Sequence, residues 1–275
     1  MIKKLLSEIK SIVLYFFSAL IVLYIVYFVI SLLIILNSIK ANQFEIISHE
    51  TLISDLEKTI VSNKINSIVT DAFYLADSLS ISNIKDGDYT NIKEQWRAFA
   101  DRKEIYDEIR FINLGGDEVV QINYAESGAY SILEQNLENK ADQLYFTNTI
   151  NLKKGQVFVS EFSLNNENDQ TEQPNKPIIR ISTPYFIQNG EVGGIVILNY
   201  YALDLMESVK KVAETSYGSI YIINSDGYWI SNSKDSSKVW TFIYKDKMNQ
   251  SFQSEFPYEW DIMKKELEGL LIINT

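Results

Sequence analysis

The sequence contains no cysteine, one histidine and too few bases to balance its acids, and each shortage removes a class of function. Without cysteine there is no disulfide framework, no thiolate metal site and no cysteine nucleophile. The one histidine, His49, has no second imidazole to complete a two-histidine metal site, and its place just beyond an apolar helix argues against Ser-His-Asp catalysis. Lysine and arginine number 25 against 36 acids, a formal net charge of -11, and no basic stripe follows the first ten residues, so a nucleic-acid partner is not expected. The phosphate-cradling GxxxxGK loop, HExxH and GxSxG are missing as well, and the carboxylates fall in polar runs with no apolar setting to raise their pKa. No catalytic residue, metal ligand or cofactor site is therefore assigned.

Residues 11–36, SIVLYFFSALIVLYIVYFVISLLIIL, carry no charge over about 26 positions, more than the roughly 20 needed to cross the hydrocarbon core. The spacing predicts a transmembrane helix in a lipid bilayer. Lys3, Lys4 and Lys10 precede it against Glu8, which places residues 1–10 in the cytoplasm and the chain after Asn37 outside. A cleaved signal peptide fits poorly, because its apolar run is only about 7 to 15 residues and NSIKANQFE offers no small-x-small cleavage site.

Residues 38–80 place Phe44, Ile47, Leu52, Leu56, Ile60, Ile65, Ile68, Ala72, Leu75 and Leu79 at helical spacing. A long amphipathic helix is predicted, long enough that a second copy's helix could cover part of it and form a homodimer; packing on its own domain alone is the alternative. Asp86-Gly87-Asp88 breaks the pattern, and NIKEQWRAFADRK (91–103) predicts a shorter helix burying Trp96 and Phe99. Strands follow at 105–113 and 118–124, joined by the turn Leu114-Gly115-Gly116-Asp117, then at 156–163, 178–186 and 193–200, with Asn189-Gly190 as a turn. The polar stretch 164–176 is predicted to be an exposed loop. A helix at 202–215 leads to a second strand pair, 219–224 and 228–232, around Ser225-Asp226-Gly227, with Tyr228, Trp229, Trp240 and Trp260 as its core. The closing GLLIINT (269–275) looks like a strand entering a sheet that the chain leaves incomplete, which suggests truncation; a short second lobe docked on the first is the alternative.

The ordered blocks IYDEIRFINLGGDEVVQINY, ADQLYF, GQVFVSEFSLN, KPIIRISTPYF, GGIVILNY and INSDGYWI resemble double Cache domains, the PAS-like extracytoplasmic sensor modules of bacterial histidine kinases, chemoreceptors and diguanylate cyclases. The likeness covers roughly residues 40–260. It implies an α+β fold: the membrane helix, the long helix, a membrane-distal Cache lobe with an antiparallel sheet (81–201), and a linking helix with an incomplete membrane-proximal lobe (202–275). It also implies a small ligand in the distal lobe. Gly115-Gly116-Asp117-Glu118-Val119 differs by one residue from the GGDEF motif of diguanylate cyclases, but a hairpin outside the cell has no nucleotide and metal site around it, so it reads as a tight turn ending in solvated acids.

A PAS-like sheet holds its ligand on one face, with a few polar groups among aromatic walls. Charged residues inside apolar strands are thus the candidates. Alternation puts Tyr106, Glu108 and Arg110 on one face of the first strand and Ile178, Arg180 and Ser182 on one face of another. Arg110 and Arg180 could each clamp a carboxylate, and each could equally be half of a structural Arg–Glu pair or lie on a solvated face. Tyr124, Tyr145 and Tyr200 are further candidates, since tyrosine supplies a wall and a hydroxyl together. The sequence points to the extracytoplasmic small-molecule sensing module of a bacterial inner-membrane signalling protein. A membrane-tethered binding protein with no output of its own is the alternative.

Overall fold

The computed structural model describes residues 2–81, 87–164, 166–167, 170–171, 176–243 and 247–265, and the chain divides into two compact units, Met1–Ser54 and Asp55–Thr275. Helix α1 (Ile2–Ile81) contributes to both. Over residues 12–36 its apolar side chains are exposed all round, as at Leu14, Phe16, Leu23 and Ile34, and the helix is long and apolar enough to cross a membrane. Phe44 and Leu52 are exposed as well, so the predicted apolar stripe goes uncovered there.

The second unit is built on a seven-stranded sheet. Its strands are β1 (Tyr106–Asn113), β2 (Glu118–Ala125), β3 (Gly128–Ser131), β4 (Phe158–Val159), β5 (Ser163–Leu164), β8 (Pro177–Phe186) and β9 (Val192–Tyr201); between β5 and β8 the short β6 (Asn166–Glu167) and β7 (Gln170–Thr171) pair only with each other. The antiparallel order is β3-β2-β1-β9-β8-β4, with β5 also on β8. The single predicted strand over 156–163 is thus two short strands, and the predicted loop after it carries the β6–β7 pair.

One face of the sheet is covered by the last turns of α1 and by α2 (Thr90–Lys103). Ile68, Ala72, Leu75 and Leu79 recur at three- and four-residue steps, so they fall on one stripe of α1. They meet Ile92 and Trp96 of α2 and Ile109, Phe111, Val120, Ile181 and Leu198 of the strands. Each of these large side chains, fully removed from water, contributes roughly 1.5–3 kcal/mol before the entropy of ordering is set against it. The Trp96 indole N–H donates to Ser78 Oγ at 3.0 Å, so the largest of them enters the core without an orphaned donor. Glycine is required where backbones nearly touch: a Cβ on Gly194 (φ +146°) would lie 2.2 Å from the Ile112 carbonyl oxygen, and one on Gly116 (φ +85°) would lie 2.5 Å from the Ala141 Cβ.

The other face carries Ile112, Ile195 and Ile197, packed against Tyr145 and Phe146 of α3 (Leu144–Thr149). After β9, α4 (Leu203–Ala213) sends Leu205 and Val209 into the main core and leads to the hairpin β10 (Tyr221–Ile223) and β11 (Trp229–Asn232). Trp229 packs with Phe252 of α5 (Phe252–Glu255) and Trp260 of α6 (Pro257–Met263), whereas Trp240 joins Ile230 and Leu164 in a separate cluster, so the predicted tryptophan core is two cores. Residue 86 and the terminal segment 269–275 lie outside the described residues.

Candidate functional site

Between the second sheet face, α3 and the segments flanking them lies an open cleft of about 1190 Å³, and its floor is charged. Two β-bulges build that floor. β1 pairs Tyr106 with Tyr200 but Glu108 with Asn199, so Asp107 is an extra residue that reverses the alternation. Tyr106 therefore turns to the helix face, where it stacks on Phe99 and donates to Asp71, while Glu108 and Arg110 turn to the cleft. The shared face predicted for Tyr106, Glu108 and Arg110 is corrected accordingly. In β2, Val119 is the extra residue between the pairs Phe111–Val120 and Ile112–Glu118, which brings Glu118 to the cleft side.

Arg110 sits between two carboxylates. Its guanidinium donates to Glu108, and its Nε lies 3.4 Å from Glu118 Oε1. Asn199 Nδ2 also donates to Glu108, and the backbone N–H of Glu138 donates to Glu118 Oε2 at 2.9 Å. Burial disfavours the charged guanidinium, but Glu108 and then Glu118 outweigh it, and the Arg110 pKa rises. Arg110 is thus half of a structural ion-pair set, its charge already matched.

Arg180, on β8, lacks those carboxylate partners, although neither arginine's Nε makes a hydrogen bond. Among the described residues no carboxylate lies within ion-pair range of it, its Nε has no hydrogen-bond partner, and Nη1 donates to Ser163 Oγ at 3.1 Å. Its guanidinium carbon lies 5.8 Å from the Tyr145 ring centre. Burial, with the positive charge of Arg110 added, pushes the Arg180 pKa down. A half-buried cation whose Nε is buried and unpaired, at the floor of a cleft, stabilises an anion brought to it. Tyr145 lines the same cleft, its hydroxyl pKa raised by burial against the opposing effect of Arg110, Lys140 and Arg180.

The structure therefore brings together Arg110, Arg180 and Tyr145, and separates Tyr106, Tyr124 and Tyr200, which pack into or against the core under α1 and α2. Lys64 lies 5.8 Å from the Tyr200 ring centre on that face. Sequence reasoning missed Glu118 as a floor residue, because it reads as the end of the glycine turn, and it missed Asn199, whose signal was a polar side chain inside the apolar run IVILNYY. The turn itself is as expected: Asn113 Oδ1 accepts from the N–H groups of Gly115 and Asp117, and hydrogen bonds from Asn139 and Asn113 hold the exposed Asp117 carboxyl below its ordinary pKa. At the floor, Glu108 and Glu118 are engaged by Arg110, Asn199 and a backbone N–H, an arrangement suited to holding a ligand.

A family described as the sensor domain of bacterial histidine kinases matches residues 50–274. No curated protein matches the chain. Among solved structures, the domain of a sensory box/GGDEF family protein from Vibrio parahaemolyticus aligns with a TM-score of 0.61 at 21% identity, over 76% of this chain and 81% of that one. The extracellular domain of the histidine kinase vpHK1S-Z8 aligns with a TM-score of 0.61 at 20% identity, over 79% and 81%. The ligand-binding domain of the Campylobacter jejuni chemoreceptor Tlp3, solved with L-valine, aligns with a TM-score of 0.52 at 9% identity, over 66% and 68%. At these identities the likeness is one of fold, and it is the Cache-like sensory fold expected from the sequence blocks.

Proposed function

The chain belongs to the bacterial histidine kinase sensor-domain family, and from that premise we propose that it is the extracytoplasmic sensing module of a bacterial transmembrane signalling protein, binding a carboxylate-bearing small molecule in the cleft over β1, β2 and β8. The observation that carries the reading is Arg180: a half-buried cation without a carboxylate partner among the described residues, its buried Nε unpaired, beside the Tyr145 ring. Arg110 is assigned a supporting role, holding Glu108 and Glu118 at the floor. The sheet unit is the membrane-distal lobe and the β10–β11 hairpin the start of the proximal one. The lysine-rich N-terminus, Lys3, Lys4 and Lys10, supports a cytoplasmic start and a single pass through the inner membrane. The uncovered apolar positions Phe44 and Leu52 support a homodimer through α1. Ligand binding shifts the population of two arrangements of these elements.

The test is a thermal-shift screen of small carboxylates, amino acids included, on the full chain in detergent. A ligand present at a hundred times its Kd stabilises the folded state by about 2.7 kcal/mol, which for a unit of this size raises Tm by roughly 5–10 °C. The full shift is expected in the wild type, and about half of it or less in Arg180→Met. A full shift in Arg180→Met would remove the site assignment.

A further inference from the structure

The wall of the cleft above Arg180 is also the seat of the C-terminal hairpin. β4 pairs with β8 through Phe158–Ser182 and Val159–Ile181, and β5 pairs with it through Ser163–Ile178 and Leu164–Pro177. Three residues, Ser160, Glu161 and Phe162, thus stand opposite two, Ile179 and Arg180. This further bulge bends the strand locally. Arg180 pins it at both ends: its backbone N–H donates to Ser160 Oγ at 2.9 Å, its carbonyl accepts from the Ser160 N–H at 2.8 Å, and its Nη1 donates to Ser163 Oγ at 3.1 Å.

The bulged segment faces two ways. Residues 160–164 line the cleft. Leu164 is buried against Ile230 of β11 and Trp240, Phe162 packs on both that cluster and the main core, and the Glu161 carboxylate accepts from the Ser225 hydroxyl in the β10–β11 turn. The segment that this cleft arginine holds is thus one seat of the hairpin, beside the packing of Ile222 on the main core and of Met206 from α4 on the Trp240 cluster.

We propose that Arg180 is a positioning residue that joins the cleft to the C-terminal hairpin: by fixing the bulge at Ser160–Ser163 it fixes the seat of β10–β11, so the state of its guanidinium is read at the hairpin. The regulatory meaning rests on the cleft being the ligand site, since an anion drawn to the unpaired Nε then shifts the guanidinium whose Nη1 holds Ser163. The mechanical link exists without a ligand and is tested without one.

Hydrogen exchange of the full chain in lipid nanodiscs, followed by mass spectrometry, reads it directly. Ser163→Ala removes the hydroxyl that Nη1 reaches, and Arg180→Gln removes the charge and the fork. Both are expected to speed exchange of the Tyr221–Asn232 amides roughly three- to fivefold while leaving Tyr106–Ala125, on the far side of the cleft, at the wild-type rate, because local opening is confined to the elements that lose their support. Ser163→Thr keeps the hydroxyl and is expected to exchange like the wild type. Unchanged exchange at β10–β11 in both Ser163→Ala and Arg180→Gln overturns the link, and so does equal acceleration at β1–β2, which would mark general destabilisation. A negative thermal-shift screen leaves this result standing, and failure here leaves the ligand assignment standing.

Discussion

Replacing Arg110 with methionine keeps most of the side chain's volume and takes away its charge. The side chains of Glu108 and Glu118 are only 4% and 2% exposed, and Arg110 itself 12%, so solvent does little to screen what is lost. Glu108 keeps its bond from Asn199 and Glu118 its bond from the Glu138 N–H, yet two buried carboxylates then share a floor with no cation between them. Breaking a buried ion pair from one side costs about 3–5 kcal/mol, which corresponds here to a fall in Tm of roughly 6–20 °C. The same reasoning predicts recovery: adding Glu108→Gln and Glu118→Gln to Arg110→Met removes the uncompensated charges and returns stability to within about 2 kcal/mol of the wild type. Arg180→Met is expected to cost less than about 1 kcal/mol, because the loss of one hydrogen bond is offset by relief of a buried unpaired charge. All four tryptophans, Trp96, Trp229, Trp240 and Trp260, lie in the second unit, so thermal unfolding in detergent followed by their fluorescence reports on that unit alone. A loss below about 1 kcal/mol for Arg110→Met, or a larger loss for Arg180→Met, would refute the division of roles between the two arginines.

Two further outcomes follow from backbone packing and titration. Gly194→Ala, at φ +146° with the Ile112 carbonyl oxygen 2.2 Å from the new methyl, is expected to lower stability by roughly 3 kcal/mol or more, whereas Gly190→Ala, in open space at φ +86°, costs about 1 kcal/mol; chemical denaturation compares them. Burial, helped by the charge of Asp204, raises the Tyr200 hydroxyl pKa to about 12 from its ordinary 10. A raised acid pKa means stability is fully present below pH 10 and is lost as pH climbs toward 12, so Tyr200→Phe is expected to flatten the fall of Tm across that window, and an unchanged slope would contradict it.

Much of the fold is legible in the sequence because its signals are local. The uncharged run 11–36 and the spacing of Ile68, Ala72, Leu75 and Leu79 both mark helix, although the two predicted helices are one, Ile2–Ile81, and the Leu114-Gly115-Gly116-Asp117 turn joins β1 to β2 as expected. The floor of the cleft is legible only in part. Period-two alternation assigns a face correctly until a bulge adds a residue, and the extra residues Asp107 and Val119 reverse it on either side of Arg110. Tyr106 was therefore expected beside Glu108, and Glu118 was read as a solvated turn residue. The bulge at 160–162 hides in the same way inside GQVFVSEFSLN, which reads as one strand. Arg110 and Arg180 look alike in sequence, each a lone arginine in an apolar strand; only the tertiary neighbours show that one is spent on two glutamates and the other is not.

The account turns on Arg180 as the group that meets a ligand's negative charge. Isothermal titration of the wild type with the carboxylate that gives the largest thermal shift, repeated on Arg180→Met and Arg180→Lys, measures this most directly. A charged hydrogen bond worth about 1.5–3 kcal/mol predicts affinity weakened roughly 10- to 150-fold in Arg180→Met and by less in Arg180→Lys. Equal affinity in all three proteins would contradict the account.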